Sequence, residues 1–289
     1  MRRIGLLGAM AVALAVTGVC APAAAPADYR ARLPQDEVVY FVLPDRFANG
    51  DPSNDRGGIK GDRLKTGFDP AAKGFYHGGD LKGLTQHLDY IQGLGATAVW
   101  FAPIFKNKPV QGPTGDESAG YHGYWITDFT RVDPHFGTNA EFKAFVDAAH
   151  ARGLKVYMDI VVNHTADVIQ YREGTAQGYP YRGKGDYPFA RRGGPTGAPI
   201  NAGFGDDSDA SAANWSHMTD PTFAYSPFVP KGEERTKTPA WLNDPIWYHN
   251  RGNTNWQGES AQYGDFVGLD DLATENPRVL AGFTEIFGS

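Results

Sequence analysis

An alternation of strand, helix, strand, helix, strand places this sequence in the β/α class, as either an eight-stranded barrel or a doubly wound sheet. Two observations carry that assignment. Residues 38–43, 97–101 and 154–162 are continuous apolar runs, the third rich in Val and Ile, as expected of strands buried on both faces of a parallel sheet. Between them, apolar residues recur at helical spacing, first at Leu84, Leu88, Ile91 and Leu94 and then at Phe142, Phe145, Val146 and Ala149.

The boundaries of these elements are also legible. The first run stops at Pro44, and the first helical stretch stops at Gly95, a C′ glycine. The second run ends just before Pro103. Thr138 and Glu141 form a capping-box pattern ahead of the second helix, which ends at Gly153. After Asn163 the periodicity disappears for about a hundred residues, far more than an ordinary connection inside a domain. Residues 165–265 are rich in Gly, Pro, Tyr, Trp and Asn and read as an inserted subdomain over the carboxyl ends of the strands, where it walls a binding cleft. Asn276 then caps a last helix that starts at Pro277 and buries Leu280, Phe283 and Phe287. Three strands are too few to close a barrel of eight, and no internal repeat supplies the others.

At the other end, Arg2 and Arg3 precede a short apolar run of small residues and an Ala- and Pro-rich stretch. Residues 1–27 therefore read as a secretory signal peptide, with the mature chain beginning near Asp28 and located outside the cell or in the periplasm. The apolar run is short for a membrane span, so no membrane association is expected once it is removed. Cys20 is the one cysteine and leaves with the leader, so no disulfide is expected. Bulky Val19 before it fits poorly with a lipid-anchored alternative. The chain has 289 residues and a formal charge of −6, which argues against nucleic acid as a partner. A neutral sugar or a cation is easier to accommodate, and nothing points to a protein partner.

Ligands of β/α folds lie beyond the carboxyl ends of the strands. The third run finishes with Asp159, Asn163 and His164, bringing a carboxylate, an amide and an imidazole to one mouth. The loop after the second strand carries Tyr121, His122, Gly123, Tyr124 and Trp125. Aromatic planes of this kind pack on the apolar C–H faces of a pyranose while their polar atoms reach its hydroxyls. Residues 49–55, with Asn49, Asp51, Asn54 and Asp55, and the later Gly78 and Asp80 offer the hard oxygen ligands that calcium takes, without matching an EF-hand loop.

Five stretches together resemble the α-amylase family of glycoside hydrolases, including its cyclodextrin glucanotransferase relatives. They are VVYFVLPDRFANGDPSND, GGDLKGLTQHLDYIQGLGATAVWFAPIF, YHGYWITDFTRVDPHFGT, GLKVYMDIVVNH and GLDDLATENP, in the family's order and spacing. The resemblance implies a (β/α)8 barrel with a domain inserted after its third strand. The expected organisation is a leader at 1–27, the first part of the barrel at 28–164, the inserted domain B at 165–265 and a return to the barrel at 266–289. It further implies that Tyr124 stacks on the sugar at the cleavage site with Trp125 beside it, that His164 hydrogen-bonds the same sugar, and that Asp159 organises the strand end. Asn163 and Asp271 are the implied side-chain ligands of a calcium pinning the insert to the barrel. Asn49, Asp51, Asn54, Asp55 and Asp80, with the Gly78 carbonyl, are the implied ligands of a second calcium found in the glucanotransferase-like branch.

The family's retaining chemistry needs two carboxylates flanking the scissile bond. Its nucleophile lies in a Gly-x-Arg-x-Asp segment on the fourth strand, which has no counterpart here. Arg131-Val132-Asp133 imitates the spacing but follows no apparent buried run, and is rejected. The expectation is therefore an incomplete barrel without nucleophile or acid/base, inactive alone, from a parent acting on α-1,4-glucans such as starch or maltodextrin. The alternatives are a non-catalytic glucan- or calcium-binding product and a glucanosyltransferase-type parent.

Overall fold

The computed structural model describes residues 28–174, 178–183, 191–192, 196–205 and 207–288. The expected leader at 1–27 lies outside these residues, as does part of the 165–265 segment. Among the described residues, β1 (Val39–Val42), β2 (Ala98–Phe101) and β7 (Lys155–Met158) form one parallel sheet in the order β1-β2-β7. In register, Phe41 lies beside Trp100, and Trp100 beside Tyr157. The three apolar runs thus become three adjacent strands, and the third is shorter than its run because Asp159 to Val162 continues as irregular chain.

Burial on both faces does not hold. Val42, Val99 and Phe101 are buried with Leu84, Leu88, Ile91 and Phe145 in the main core, whereas Val39, Phe41, Trp100 and Tyr157 on the opposite face are 46%, 50%, 42% and 37% exposed. The helices cover one face, and successive side chains of a strand point to opposite faces.

The first helical stretch is two helices, α2 (Leu81–Gln86) and α3 (Leu88–Gly93). The break falls at His87, whose ring nitrogen Nδ1 lies 2.8 Å from the Gly83 carbonyl. Leu81, Leu84, Leu88 and Ile91 remain buried across the break, while Leu94, beyond the end of α3, is exposed. Helix α4 (Asn139–Ala151) starts as expected, the Thr138 hydroxyl accepting from the Glu141 amide at 3.2 Å and donating to the Glu141 carboxylate at 2.9 Å. In α7 (Pro277–Phe287) the Asn276 side chain caps Arg278 N, but Val279 and Phe283 form the buried face; Phe287 is half-buried and Leu280 points to solvent.

Shorter elements frame the site: helix α1 (Arg63–Thr66), strands β3 (Phe105–Asn107), β4 (Val110–Gln111), β5 (Ser118–Ala119) and β6 (Ile126–Val132). β3 pairs antiparallel with β6, and β4 with β5. β6 corrects the expectation that no buried run precedes Asp133, because Ile126, Thr127, Asp128 and Phe129 are all buried. Asp133 is nevertheless committed to structure: one oxygen accepts from Asn107 N at 2.7 Å and the other from His135 N at 2.9 Å. Among the described residues of the 165–265 segment, the strands and α-helices are β8 (Gln170–Tyr171), α5 (Ala212–Trp215), β9 (Pro227–Phe228) and α6 (Ser260–Tyr263), with β8 paired to β9. Tyr171 and Tyr225 stack there at 4.8 Å, in a cluster shared with Ile126, Leu272 and Phe283.

Candidate active site

The aromatic loop is positioned by Gly123, which adopts φ +87° and packs so closely on Pro103 that a Cβ would run into its carbonyl. This close approach brings Tyr124 to the end of β7, where its hydroxyl donates to Asp159 Oδ2 at 2.9 Å. Burial, with the neighbouring Asp159 carboxylate, pushes the Tyr124 phenol up to about 12, so it stays a neutral donor. His164 Nε2 lies 3.1 Å from the Tyr124 carbonyl; since that oxygen only accepts, Nε2 carries the proton. Burial lowers the His164 pKa and keeps the ring uncharged. Tyr124, Asp159 and His164 are therefore joined at one mouth, and Trp125 follows, its amide held by Asn107 Oδ1 at 2.6 Å.

Two neighbours escaped the sequence reading. His122 lies between Tyr121, Tyr124 and Trp125, with ring centroids 5.1, 5.7 and 4.8 Å away, and its Nδ1 accepts from Tyr124 N at 3.0 Å. Burial first, then the Arg46 charge, bring it down to about 4, so a neutral imidazole orients the platform. Arg46 places its guanidinium 3.9 Å from the Tyr121 ring centre and pairs with buried Asp45. Both residues stand inside the quoted motifs, YHGYW and VLPDRF; the signal was present, but spacing alone could not show which way either pointed. Phe266 also stacks on His164 at 5.5 Å, with Trp256 edge-on to it at 4.6 Å.

The first set of proposed calcium ligands is gathered in one place. Asp80 accepts from Gly50 N, Asp51 N, Asn54 Nδ2 and Gly83 N, which makes it the anchor of the loop. Asn49 Nδ2 donates to Asp55 Oδ1 at 2.7 Å, and Gly78, at φ +94°, approaches both so closely that a Cβ would meet them at 2.7 Å. Asp51 is turned toward Ser53 and Lys82. Asn54 Oδ1 is buried without a partner, and burial, followed by the Asp80 and Asp51 charges, raises the Asp55 pKa. An orphaned acceptor beside mutually repelling carboxylates fits a hard cation.

For the second set, Asn163 Nδ2 lies 3.4 Å from Asp271 Oδ1, and His249 Nδ1 lies 2.6 Å from Asp271 Oδ2. Asp271 is buried and its pKa is raised by that burial. The pair is adjacent, although one carboxylate oxygen is already held by His249. Among the described residues no group of three or more His, Cys, Asp or Glu is arranged to hold a metal, so either site would draw on amide and carbonyl oxygens as well.

Beside Trp125 opens a cavity of about 660 Å³, bounded by the β4–β5 hairpin and the 165–265 segment. Its wall includes Gln111, Asp167, Tyr171, Tyr179, Asn253 and Val267. Gln111 Oε1 and Asn253 Oδ1 are shielded from water without a hydrogen-bond donor, a state that costs about 1–3 kcal/mol each. Burial first, then Asp270, raises Asp167 to about 7. Val267 is held at φ +57° and is 72% exposed, an unfavourable backbone for a β-branched residue.

The profile of the family described as "Alpha amylase, catalytic domain" matches residues 41–289. An α-amylase of Streptomyces lividans is 53% identical over 231 residues, 79% of this chain and 24% of that protein. The periplasmic α-amylase of Escherichia coli K12 is 43% identical over 47% of this chain and 21% of its own length, and the cyclomaltodextrin glucanotransferase of Niallia circulans is 34% identical over 55% and 22%. The chain thus spans under a quarter of the length of these curated relatives. Among solved structures, a three-domain cyclomaltodextrin glucanotransferase is 30% identical with a TM-score of 0.56, covering 87% of this chain and 41% of that one. An Anoxybacillus α-amylase is 32% identical with a TM-score of 0.53, covering 88% and 38%.

Proposed function

Because this chain belongs to the α-amylase catalytic-domain family, whose fold is the (β/α)8 barrel, we propose that it supplies the sugar-holding part of an enzyme acting on α-1,4-glucans. The observation that carries the reading is the linked set of Tyr124, Asp159 and His164 at the carboxyl end of the sheet. Asp159 fixes the tilt of the Tyr124 ring, the half-buried ring offers its face to a pyranose, and the uncharged His164 stands beside it for a hydroxyl. Trp125 extends the apolar surface.

In this reading the residues present bind and orient sugar, and neither carboxylate of a retaining pair is among them. A nucleophile and its acid act as a unit, so these residues alone hold glucan without cleaving it, as an incomplete barrel. Residues 165–265 form the inserted domain that walls the cleft. Asn163 and Asp271 would hold one calcium, and Asn49, Asn54, Asp55 and the Gly78 carbonyl another, with Asp51 and Asp80 beside it. Calcium, when bound, supplies positive charge that relieves carboxylate repulsion and ties loops together. The leader-like residues 1–27, and a periplasmic enzyme among the relatives, support a place outside the cytoplasm. Glucanotransferases among the relatives favour a second reading of the parent, transfer rather than hydrolysis.

The test is glucan binding by the 289-residue chain, measured by isothermal titration with maltose. Binding that is weakened about tenfold or more by Tyr124→Ala, as expected for losing an aromatic platform together with its contacts, supports the proposal. Cleavage of starch by this chain without further sequence would overturn the non-catalytic part.

A further inference from the structure

The sugar-holding reading rests on Tyr124 and leaves unused the arginine that lies under the aromatic loop. Arg46 ends the 3-10 turn Pro44–Arg46, just after β1, far in sequence from the rings it supports. Its side chain is fastened at three points. Nη2 donates to the Lys73 carbonyl at 2.8 Å and to the Phe75 carbonyl at 2.9 Å, and the guanidinium pairs with Asp45. Asp45 is itself held, being buried and accepting from His77 N at 2.9 Å and from Gly78 N at 3.2 Å. The guanidinium so fixed lies 3.9 Å from the Tyr121 ring centre.

From that guanidinium a series of rings leads to the platform. Tyr121 packs edge-on against His122 at 5.1 Å, and His122 lies between Tyr124 at 5.7 Å and Trp125 at 4.8 Å. The polar link in the series is the Tyr124 amide, which donates to His122 Nδ1 at 3.0 Å. A ring nitrogen accepts only while it carries no proton, so protonating His122 there would set a donor against a donor. The groups turned toward the ring are Arg46, Tyr121, Tyr124, Trp125 and the uncharged His164. Asp159 stands beyond them at the Tyr124 hydroxyl, and Asp45 is taken up by Arg46 and two backbone amides. Of the groups facing His122, Arg46 alone is charged, and a fixed cation opposes a second one beside it. Burial has the larger effect and Arg46 adds to it, which together bring His122 down to about 4.

We propose that Arg46 is a positioning residue of the sugar platform, a floor under Tyr121 and His122 whose positive charge preserves the acceptor at His122 Nδ1 that holds the Tyr124 amide. The inference deepens the sugar-holding reading of Tyr124 and rests on it. Arg46 acts through two rings and not on the sugar itself. Two consequences separate this role from ordinary packing. Glucan binding has an acid limit set by His122, because the platform loses its main-chain hydrogen bond when Nδ1 takes a proton. That limit depends on the charge at position 46, so removing the charge moves it to higher pH.

The experiment is isothermal titration of the full polypeptide with maltose across a pH series, paired with histidine-ring NMR in which His122→Asn identifies the His122 signal. The wild type is expected to lose maltose as pH falls through about 4, in step with the His122 signal. Arg46→Gln keeps amide donors for the two carbonyls and removes the charge. It should bind about fivefold more weakly at neutral pH, with the acid limit and the His122 titration both moved upward toward 6.5. Arg46→Lys restores the charge without the planar fork, so its acid limit stays at the wild-type value while its affinity remains reduced. Circular dichroism checks folding, and Arg46→Met repeats the charge removal where the Gln variant does not fold. A folded uncharged variant that binds maltose as the wild type does overturns the proposal. So does a loss by the same factor at every pH with the His122 titration unmoved, which is packing alone, and so does unfolding of both uncharged variants, which makes Arg46 a residue of the fold. No maltose binding by the wild type at any pH defeats the platform reading, and the positioning role falls with it, while the NMR midpoint still shows whether Arg46 governs His122.

Discussion

Asp167 shows how one side chain's environment sets a measurable property. Burial, with Asp270 nearby, raises its carboxyl to about 7, above the 3.8 of an unperturbed Asp. The folded state therefore holds the proton more tightly than the unfolded one. The stabilising contribution is complete below pH 3.8 and is lost as pH rises through about 7. Lys108 and Glu233 also face this group, the first lowering and the second raising its pKa. Asp167→Asn keeps an acceptor for Gln170 and removes the charge. Urea unfolding should show the variant gaining stability over the wild type progressively between pH 4 and 7, with a constant advantage above. A difference independent of pH would mean that Asp167 is ionised in the fold without penalty. Tyr124, Trp125, Asp159 and His164 could be picked out from residue type and place in a motif, but His122 could not. Its orienting role depends on a ring packed among three others, which sequence spacing does not encode.

Among the elements, the helix starts were the most legible parts, because a cap is a local interaction between residues a few positions apart. Thr138 caps α4 as the pattern predicts. Thr138→Ala removes the hydroxyl that satisfies the Glu141 amide and should destabilise the fold by about 1 kcal/mol, seen as a lower urea midpoint with an unchanged slope. No shift would mean that solvent replaces the cap without cost. Helix faces were harder to assign. In α7, Leu280 and Phe283 are both apolar and one turn apart, yet Phe283 is buried against Phe129 and Trp241 while Leu280 is 65% exposed. The direction of the core decides between them. The His87 break was hidden for a related reason: the leucines keep the same face across it, so periodicity reads as one helix.

For the whole molecule, the loops holding Asn49, Asn54, Asp55 and Gly78, and the contact of Asn163 with Asp271, are where an ion would join distant parts of the chain. A ligand that binds only the folded state stabilises it by about 2.7 kcal/mol at a hundred times its dissociation constant. Millimolar calcium should therefore raise the melting temperature, a chelator should lower it, and Asp55→Asn should remove part of the response. A melting temperature indifferent to both would eliminate the proposed calcium sites. The row Phe41, Trp100 and Tyr157 leaves an apolar sheet face open, and a groove of about 280 Å³ lies between Ile160, Val162 and α7. The sequence alone determined the β/α order, the three strands, the capped helices and the family motifs, because these follow from periodicity and from contacts between near neighbours. Only the tertiary structure decided which sheet face is covered, that β6 precedes Asp133, that Tyr124, Asp159 and His164 are linked, and that a cavity opens beside Trp125. Each of these depends on residues far apart in the chain meeting in space, which hydrophobic pattern constrains but does not specify.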